Sequence, residues 1–191
     1  MPRKPDPTLK PAIVRKVADH LRDTKLADVS VRSLGRVLGT SAYPIVYHFG
    51  SRDALVDAVV DHLTEPVAGA TLSPEADESG LADYLVAVYG GLDDPKRSLA
   101  VRLAFELGAV ESLDGRDRER TFHRQQTDAI GGWCTAHGVG RAEAGRAARR
   151  AVLAARGAQW GAIVDPDRTD VDPTLRAIAR ELAAGLRSAA A

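Results

Sequence analysis

Apolar residues recur at three- and four-residue spacing along almost the whole chain, and no segment alternates in the β-branched manner of a half-buried strand. Ala, Leu, Arg and Glu dominate, and all four form helices well. The pattern therefore points to an all-α fold, which breakers divide into about nine helices. The first spans roughly Pro11 to Asp23, with Pro11 suited to a first turn and Ile13, Val14, Val17, Ala18 and Leu21 on one face. Ser30 offers an N-cap for a helix over 31–38, which Gly39 ends. A short helix over 43–49 follows. Ser51 then caps a fourth, whose Leu55, Val59 and Leu63 lead to a break at Pro66. The stretch PVAGATLSPEADES, 66–79, is rich in small and breaking residues and separates a domain at 1–65 from one at 66–191. Beyond it the periodicity predicts helices over 81–92, 95–110, 118–137, 141–164 and 173–190, with no solenoid-like repeat.

A chain of 191 residues, 45% of them hydrophobic, can bury a sizeable core and is not globally disordered. No apolar run reaches membrane-spanning length, since Arg102 and Glu106 interrupt 99–110. The start, MPRKPDPTLKP, lacks the apolar stretch of a secretory signal, and a lone Cys134 permits no internal disulfide. These features suit a soluble cytoplasmic protein without a membrane partner.

The formal net charge of zero conceals an asymmetry. Residues 1–52 hold ten Lys/Arg against four Asp, a net of +6, and the remainder holds 16 basic against 22 acidic residues, a net of −6. A basic end on an acidic body suits a DNA-binding head joined to a body with another task; clustering on a solvated surface is the plainer alternative.

The interval from Ser30 to Phe49 has helix-turn-helix spacing. Val31, Leu34 and Leu38 form the inner stripe of the first helix, Gly39 allows the turn, and Ile45 and Phe49 pin the second helix. In such a motif the second helix enters the major groove of duplex DNA, with its N-terminal residues at base edges; here those are Ser41, Ala42, Tyr43 and Pro44. Tyr43 has no core to fill, because Ile45, Val46 and Phe49 already supply the apolar side. It offers a ring and a hydroxyl to bases or phosphates. Pro44 disfavours α geometry at Tyr43, so this helix is expected to start late or distorted. Arg32 and Arg36 share a face of the preceding helix, open either to phosphate or to solvent.

Residues 29–59, VSVRSLGRVLGTSAYPIVYHFGSRDALVDAV, resemble the TetR family of bacterial transcriptional regulators, most sharply over YHFGSRDAL. The likeness covers about residues 10–65, while the remainder matches in length and helical character. It implies an N-terminal helix-turn-helix head on three helices and a larger ligand-binding, dimerising body. The chain departs from the family pattern at Lys25, where a glycine is common, and in reading Tyr43-Pro44-Ile45-Val46 where many members have Gly-Thr-Leu-Tyr. Base preference therefore does not transfer. Among DNA contacts, the resemblance assigns phosphate roles to Tyr47, His48 and Arg52, beside Ser30 and Arg32. Other roles stay open: an interhelical hydrogen bond for His48, core packing for Tyr47, and a nearby acid for Arg52.

The resemblance further implies a homodimer through the last two long helices, where Ala148, Ala151, Val152 and Ala155 form one small-residue stripe and Leu175, Ile178, Leu182 and Leu186 another. It also implies a pocket for a small-molecule effector of unknown identity. The body aromatics weighed for it are Tyr84, Tyr89, Phe105, Phe122, Trp133 and Trp160; the polar candidates are Glu106, His123, Gln126 and Gln159. Internal packing is the alternative for each. The histidines are scattered and form no metal-ligand set, and no nucleotide-binding or catalytic motif occurs, so neither cofactor nor enzymatic activity is expected. The leading reading is a repressor released from its operator by a ligand. The alternative is an all-helical ligand-binding or scaffold protein that does not read DNA.

Overall fold

The computed structural model describes residues 8–65 and 69–189, the last three without side-chain detail. Arg3, Lys4 and Asp6 of the charge tally, the break expected at Pro66, and Ala190 lie outside the described residues. Ten α-helices and no strand occur among those described: α1 (Leu9–Leu21), α2 (Val31–Leu38), α3 (Tyr43–Phe49), α4 (Arg52–Thr64), α5 (Glu78–Tyr89), α6 (Pro95–Gly108), α7 (Glu111–Asp114), α8 (Arg118–Ala136), α9 (Arg141–Val164) and α10 (Val171–Ala189). The all-α expectation holds. The additional helix is α7, four residues long and too short to leave a periodic signal.

The chain divides into two compact units, one holding the described residues up to Glu65 together with Leu99–Val110, the other the rest. In the first, Val17 and Leu21 of α1, Leu34 of α2, Ile45 of α3 and Leu55, Val56 and Val59 of α4 are fully buried together. Leu99, Leu103 and Leu107 of α6 join that same core. The contiguous 1–65 head is thus extended by a segment distant in sequence. The four-residue spacing of those leucines shows that a stripe is buried, but not against which partner.

In the second unit, α5, α8, α9 and α10 pack around Leu81, Leu85, Tyr89, Ile130, Trp133, Val152 and Leu175, all almost wholly buried. Buried Glu111 caps α8 from outside the helix: its two carboxylate oxygens accept the N–H groups of Glu119 at 2.8 Å and Arg120 at 3.1 Å. An anion suits a helix N-terminus, where free N–H groups carry positive partial charge. Among the described residues no helix is long and apolar enough to cross a membrane.

Candidate nucleic-acid interface

Local chemistry sets each end of α2 and α3. The Ser30 hydroxyl accepts the Ser33 N–H at 3.0 Å while the Ser33 hydroxyl accepts the Ser30 N–H at 2.8 Å, a reciprocal cap on α2. Gly39 ends the helix in the left-handed region, φ 71° and ψ 27°, which glycine adopts without a Cβ penalty. The turn then passes so close to α2 that a Cβ on Gly35 would stand 3.0 Å from the Ser41 carbonyl carbon and 3.1 Å from the Ala42 nitrogen. The helix-turn-helix depends on that missing side chain.

α3 begins at Tyr43, so the late start expected from Pro44 does not occur. Pro44 is the second helical residue, where a missing N–H leaves no bond unmade. The only irregularity in the first turn is that the Ala42 carbonyl accepts from both Ile45 and Val46, at 3.1 and 3.2 Å. Ile45 is fully buried and Phe49 packs on the same core, with the Lys10 ammonium 5.3 Å from the Phe49 ring centre. That leaves the other side of α3 outward: Tyr43, Val46 and Tyr47 are 69%, 52% and 60% exposed. The tyrosine rings stack at 5.7 Å with 24° between their planes, and His48 lies edge-on to Tyr47 at 5.0 Å. Tyr47 is therefore not a core residue. Ser30, Arg32, Arg36 and Ser41 are also exposed, whereas Ala42, Pro44 and His48 are half-buried.

Arg52 has a different environment. Its Nη1 donates to the Val29 carbonyl at 3.2 Å and its Nε to Asp53 Oδ1 at 2.6 Å. The guanidinium ties the start of α4 to the strand of chain entering α2. It already has an anionic partner, so it does not need phosphate to offset the helix dipole.

The effector candidates separate into groups. Within the second unit, the Tyr84 hydroxyl donates to Gln126 Oε1 at 2.5 Å, joining α5 to α8. Burial raises the Tyr84 pKa. Phe122 meets Tyr89 edge-to-face at 5.8 Å and carries the Arg156 guanidinium 4.6 Å from its ring centre. Arg156 also pairs with Glu119 and donates to Gln159 Oε1 at 3.0 Å, and Gln159 Nε2 donates to the Tyr89 carbonyl at 2.9 Å. Tyr84, Phe122, Gln126 and Gln159 thus share one polar-aromatic cluster. Tyr89, an aromatic weighed for the pocket, also belongs to it, whereas Glu119 and Arg156 were not among the candidates. The buried Tyr89 hydroxyl has no hydrogen-bond partner among the described residues, and burial pushes its pKa far up. Trp133 instead is core, with Nε1 donating to the Ala76 carbonyl at 2.7 Å. Trp160 faces outward, His123 is half-buried, and Phe105 and Glu106 belong to the first unit, where Glu106 pairs with Arg102 at 3.7 Å.

The dimer candidates need correction. Ala148, Ala151, Val152, Ala155 and Leu175 are buried within the single chain, and Leu186 nearly so. Ala148, Val152, Ala155 and Leu175 face the core of the body, whereas Ala151, Ile178, Leu182 and Leu186 also border a groove between α9 and α10. Leu153, Trp160 and Val164, 62%, 52% and 57% exposed, lie on the outward side of α9 at seven- and four-residue intervals. A groove of about 310 Å³ lies between the N-terminal half of α9 and α10, lined by Ala151, Ala154, Ile178, Leu182, Gly185 and Leu186 with the charged residues Glu143, Arg150 and Glu181.

Neither a protein-family model nor a curated protein matches the sequence. Solved structures do match the fold. A transcriptional regulator from Rhodococcus sp. Rha1 superposes with a TM-score of 0.77 at 15% identity, over 93% of this chain and 97% of the other. A TetR transcription regulator from Haloarcula marismortui gives 0.71 at 20% identity, over 92% and 96%. BioQ of Mycobacterium smegmatis gives 0.63 at 22% identity, over 94% and 97%, and BioQ has also been solved with its natural double-stranded DNA operator. The architecture is a helix-turn-helix unit and a helical body, the fold these solved structures share. More narrowly, the chain has the TetR-type fold over nearly its whole length, as the run YHFGSRDAL led one to expect.

Proposed function

We propose that this protein is a DNA-binding transcriptional regulator of TetR type, a repressor that leaves its operator when a small molecule binds its body. One observation carries the reading: a short helix, pinned from behind by Ile45, holds Tyr43, Val46 and Tyr47 outward, and the helix before it, capped by the Ser30–Ser33 pair and ended by Gly39, carries basic Arg32 and Arg36. The TetR-type fold supports the same reading. Arg32, Arg36 and Lys10 are the phosphate contacts we favour, and Arg52 becomes a positioning residue.

A homodimer would present two such helices to two half-sites about 34–36 Å apart or a multiple of that. The outward side of α9 with the α9–α10 groove is the surface we assign to it. Leu153→Glu is expected to give folded monomers, while Ala155→Glu, deep in the body, is expected to unfold the chain; a Leu153→Glu variant of unchanged mass in solution rules the surface out. The cluster around Tyr84, Tyr89, Phe122 and Gln126 is the effector locus. A ligand there acts by favouring a body conformation whose head spacing no longer fits DNA, to the extent that its affinity differs between the two states.

The test is selection of bound sequences from random duplex DNA, followed by footprinting and a salt series. Two protected half-sites and affinity falling steeply with salt are expected. No salt-dependent binding to any duplex would return the protein to the non-DNA, ligand-binding alternative.

A further inference from the structure

The outward face of α3 limits which base pairs it can read. From Gly39 to Phe49 the sequence holds no Arg, Lys, Asn or Gln. Those are the side chains that read guanine O6 and N7, or adenine N6 and N7, through paired hydrogen bonds. His48 points to the flank of the helix, with its ring edge-on to Tyr47. What faces outward is the isopropyl group of Val46 beside the stacked rings of Tyr43 and Tyr47. In the major groove one base-edge group is apolar, the C5 methyl of thymine.

Resting on the reading of α3 as a major-groove helix, we infer that this protein recognises its operator through thymine methyl groups. Val46 and the Tyr43–Tyr47 stack form one apolar slab, and the preferred duplex places two or more thymine methyls against it in each half-site. The slab exists before DNA arrives, because the two rings already stack at 5.7 Å. Little side-chain freedom is then lost on docking. The tyrosine hydroxyls at the slab's rim add hydrogen bonds to phosphates, which fix register without discriminating sequence.

The experiment uses the full chain and the best duplex from the random pool, made once with thymidine and once with deoxyuridine throughout. The two differ only in the methyl. Each buried methyl removed costs about fourfold in affinity, so two cost about sixteenfold at one half-site and on the order of a hundredfold or more when both half-sites are bound. A random duplex should show no such difference. Val46→Ala, at an exposed position, should melt with the parent and bind the two versions more nearly alike. That coupling separates direct contact from a change in DNA shape. Equal affinity of the parent for the thymidine and deoxyuridine versions overturns the inference. So does a thymidine preference that survives undiminished in both Val46→Ala and Tyr47→Ala. Absence of salt-dependent binding to every duplex overturns the major-groove reading itself, and this inference with it.

Discussion

Replacing Gly35 by alanine sets two effects of opposite sign against each other. In a helix interior, alanine is favoured over glycine by about 0.5–1 kcal/mol, because glycine loses more backbone freedom on folding. Against that, the new Cβ would sit 3.0 Å from the Ser41 carbonyl carbon and 3.1 Å from the Ser41 oxygen and the Ala42 nitrogen. These are backbone atoms of the turn, so no rotamer change can relieve the contact; the turn must retreat by a few tenths of an ångström. Overpacking of this kind costs about 1–3 kcal/mol. The net expectation is a loss of roughly 1 kcal/mol in unfolding free energy, read from urea midpoints at constant slope. The effect on duplex binding should be larger, because the displaced turn carries Tyr43 and the whole of α3. Gly132→Ala supplies the comparison: Gly132 lies exposed in α8 with nothing within 4 Å of its prospective Cβ, so it should gain about 0.5–1 kcal/mol and bind DNA as before. If Gly35→Ala gains as much as Gly132→Ala and binds DNA unchanged, the close approach does not govern the motif.

Arg52→Ala should lower stability by about 1–3 kcal/mol through the lost bonds to Val29 and Asp53, and it should leave the salt slope of DNA binding unchanged; a slope smaller by about one unit would make it a phosphate ligand after all. Tyr89→Phe removes a buried hydroxyl that has no partner among the described residues, so stability should hold or rise by about 1 kcal/mol, while effector binding falls; a marked destabilisation would reveal a partner. The Cys134 thiol, pushed up to about 11 by burial, should resist alkylation at pH 8 in the native protein and react once denaturant exposes it. The sign of its pH effect is fixed: above the ordinary thiol value of 9.0 the unfolded chain loses a proton that the folded chain keeps, so this thiol's share of stability is present below pH 9 and declines between 9 and 11. Urea midpoints in a Cys134→Ala variant should lack that share of the decline.

Features decided within one turn of chain were legible in the sequence. The Ser30 and Ser51 caps, the Gly39 stop and the limits of α2, α3 and α9 follow from residue types that act on their immediate neighbours. The exposure of Tyr43 was legible too, since Ile45 and Phe49 occupy the inner side of α3, but Val46, expected beside them, is 52% exposed: on a seven-residue helix it lies roughly a third of a turn from Ile45 and outside the buried stripe. Arg52 was not: its partner is a backbone carbonyl 23 residues earlier, and a carbonyl leaves no mark in a sequence. The faces of α9 were only partly legible for a related reason. Alanine lies on nearly every side of that helix, so periodicity cannot say which stripe packs on its own chain and which looks out. The different roles of Tyr84 and Tyr89 were illegible on a third ground: only once both are placed does one hydroxyl meet Gln126 while the other finds no partner among the described residues.

The aromatic residues are divided between the two units in a way that bears on spectroscopy. Both tryptophans, Trp133 and Trp160, lie in α8 and α9, and the first unit contains none. Excitation at the red edge of the indole band therefore illuminates the body alone, whereas tyrosine ultraviolet bands also sample Tyr43 and Tyr47 on α3. The two indoles differ as well: Trp133 is sealed and hydrogen-bonded to Ala76, while Trp160 stands half open to solvent. A soluble collisional quencher reaches the second and not the first. The proposed subunit association over α9, which would cover Trp160, and events on α3 can thus be followed as separate optical signals in the unmodified protein, without attaching a dye to either surface.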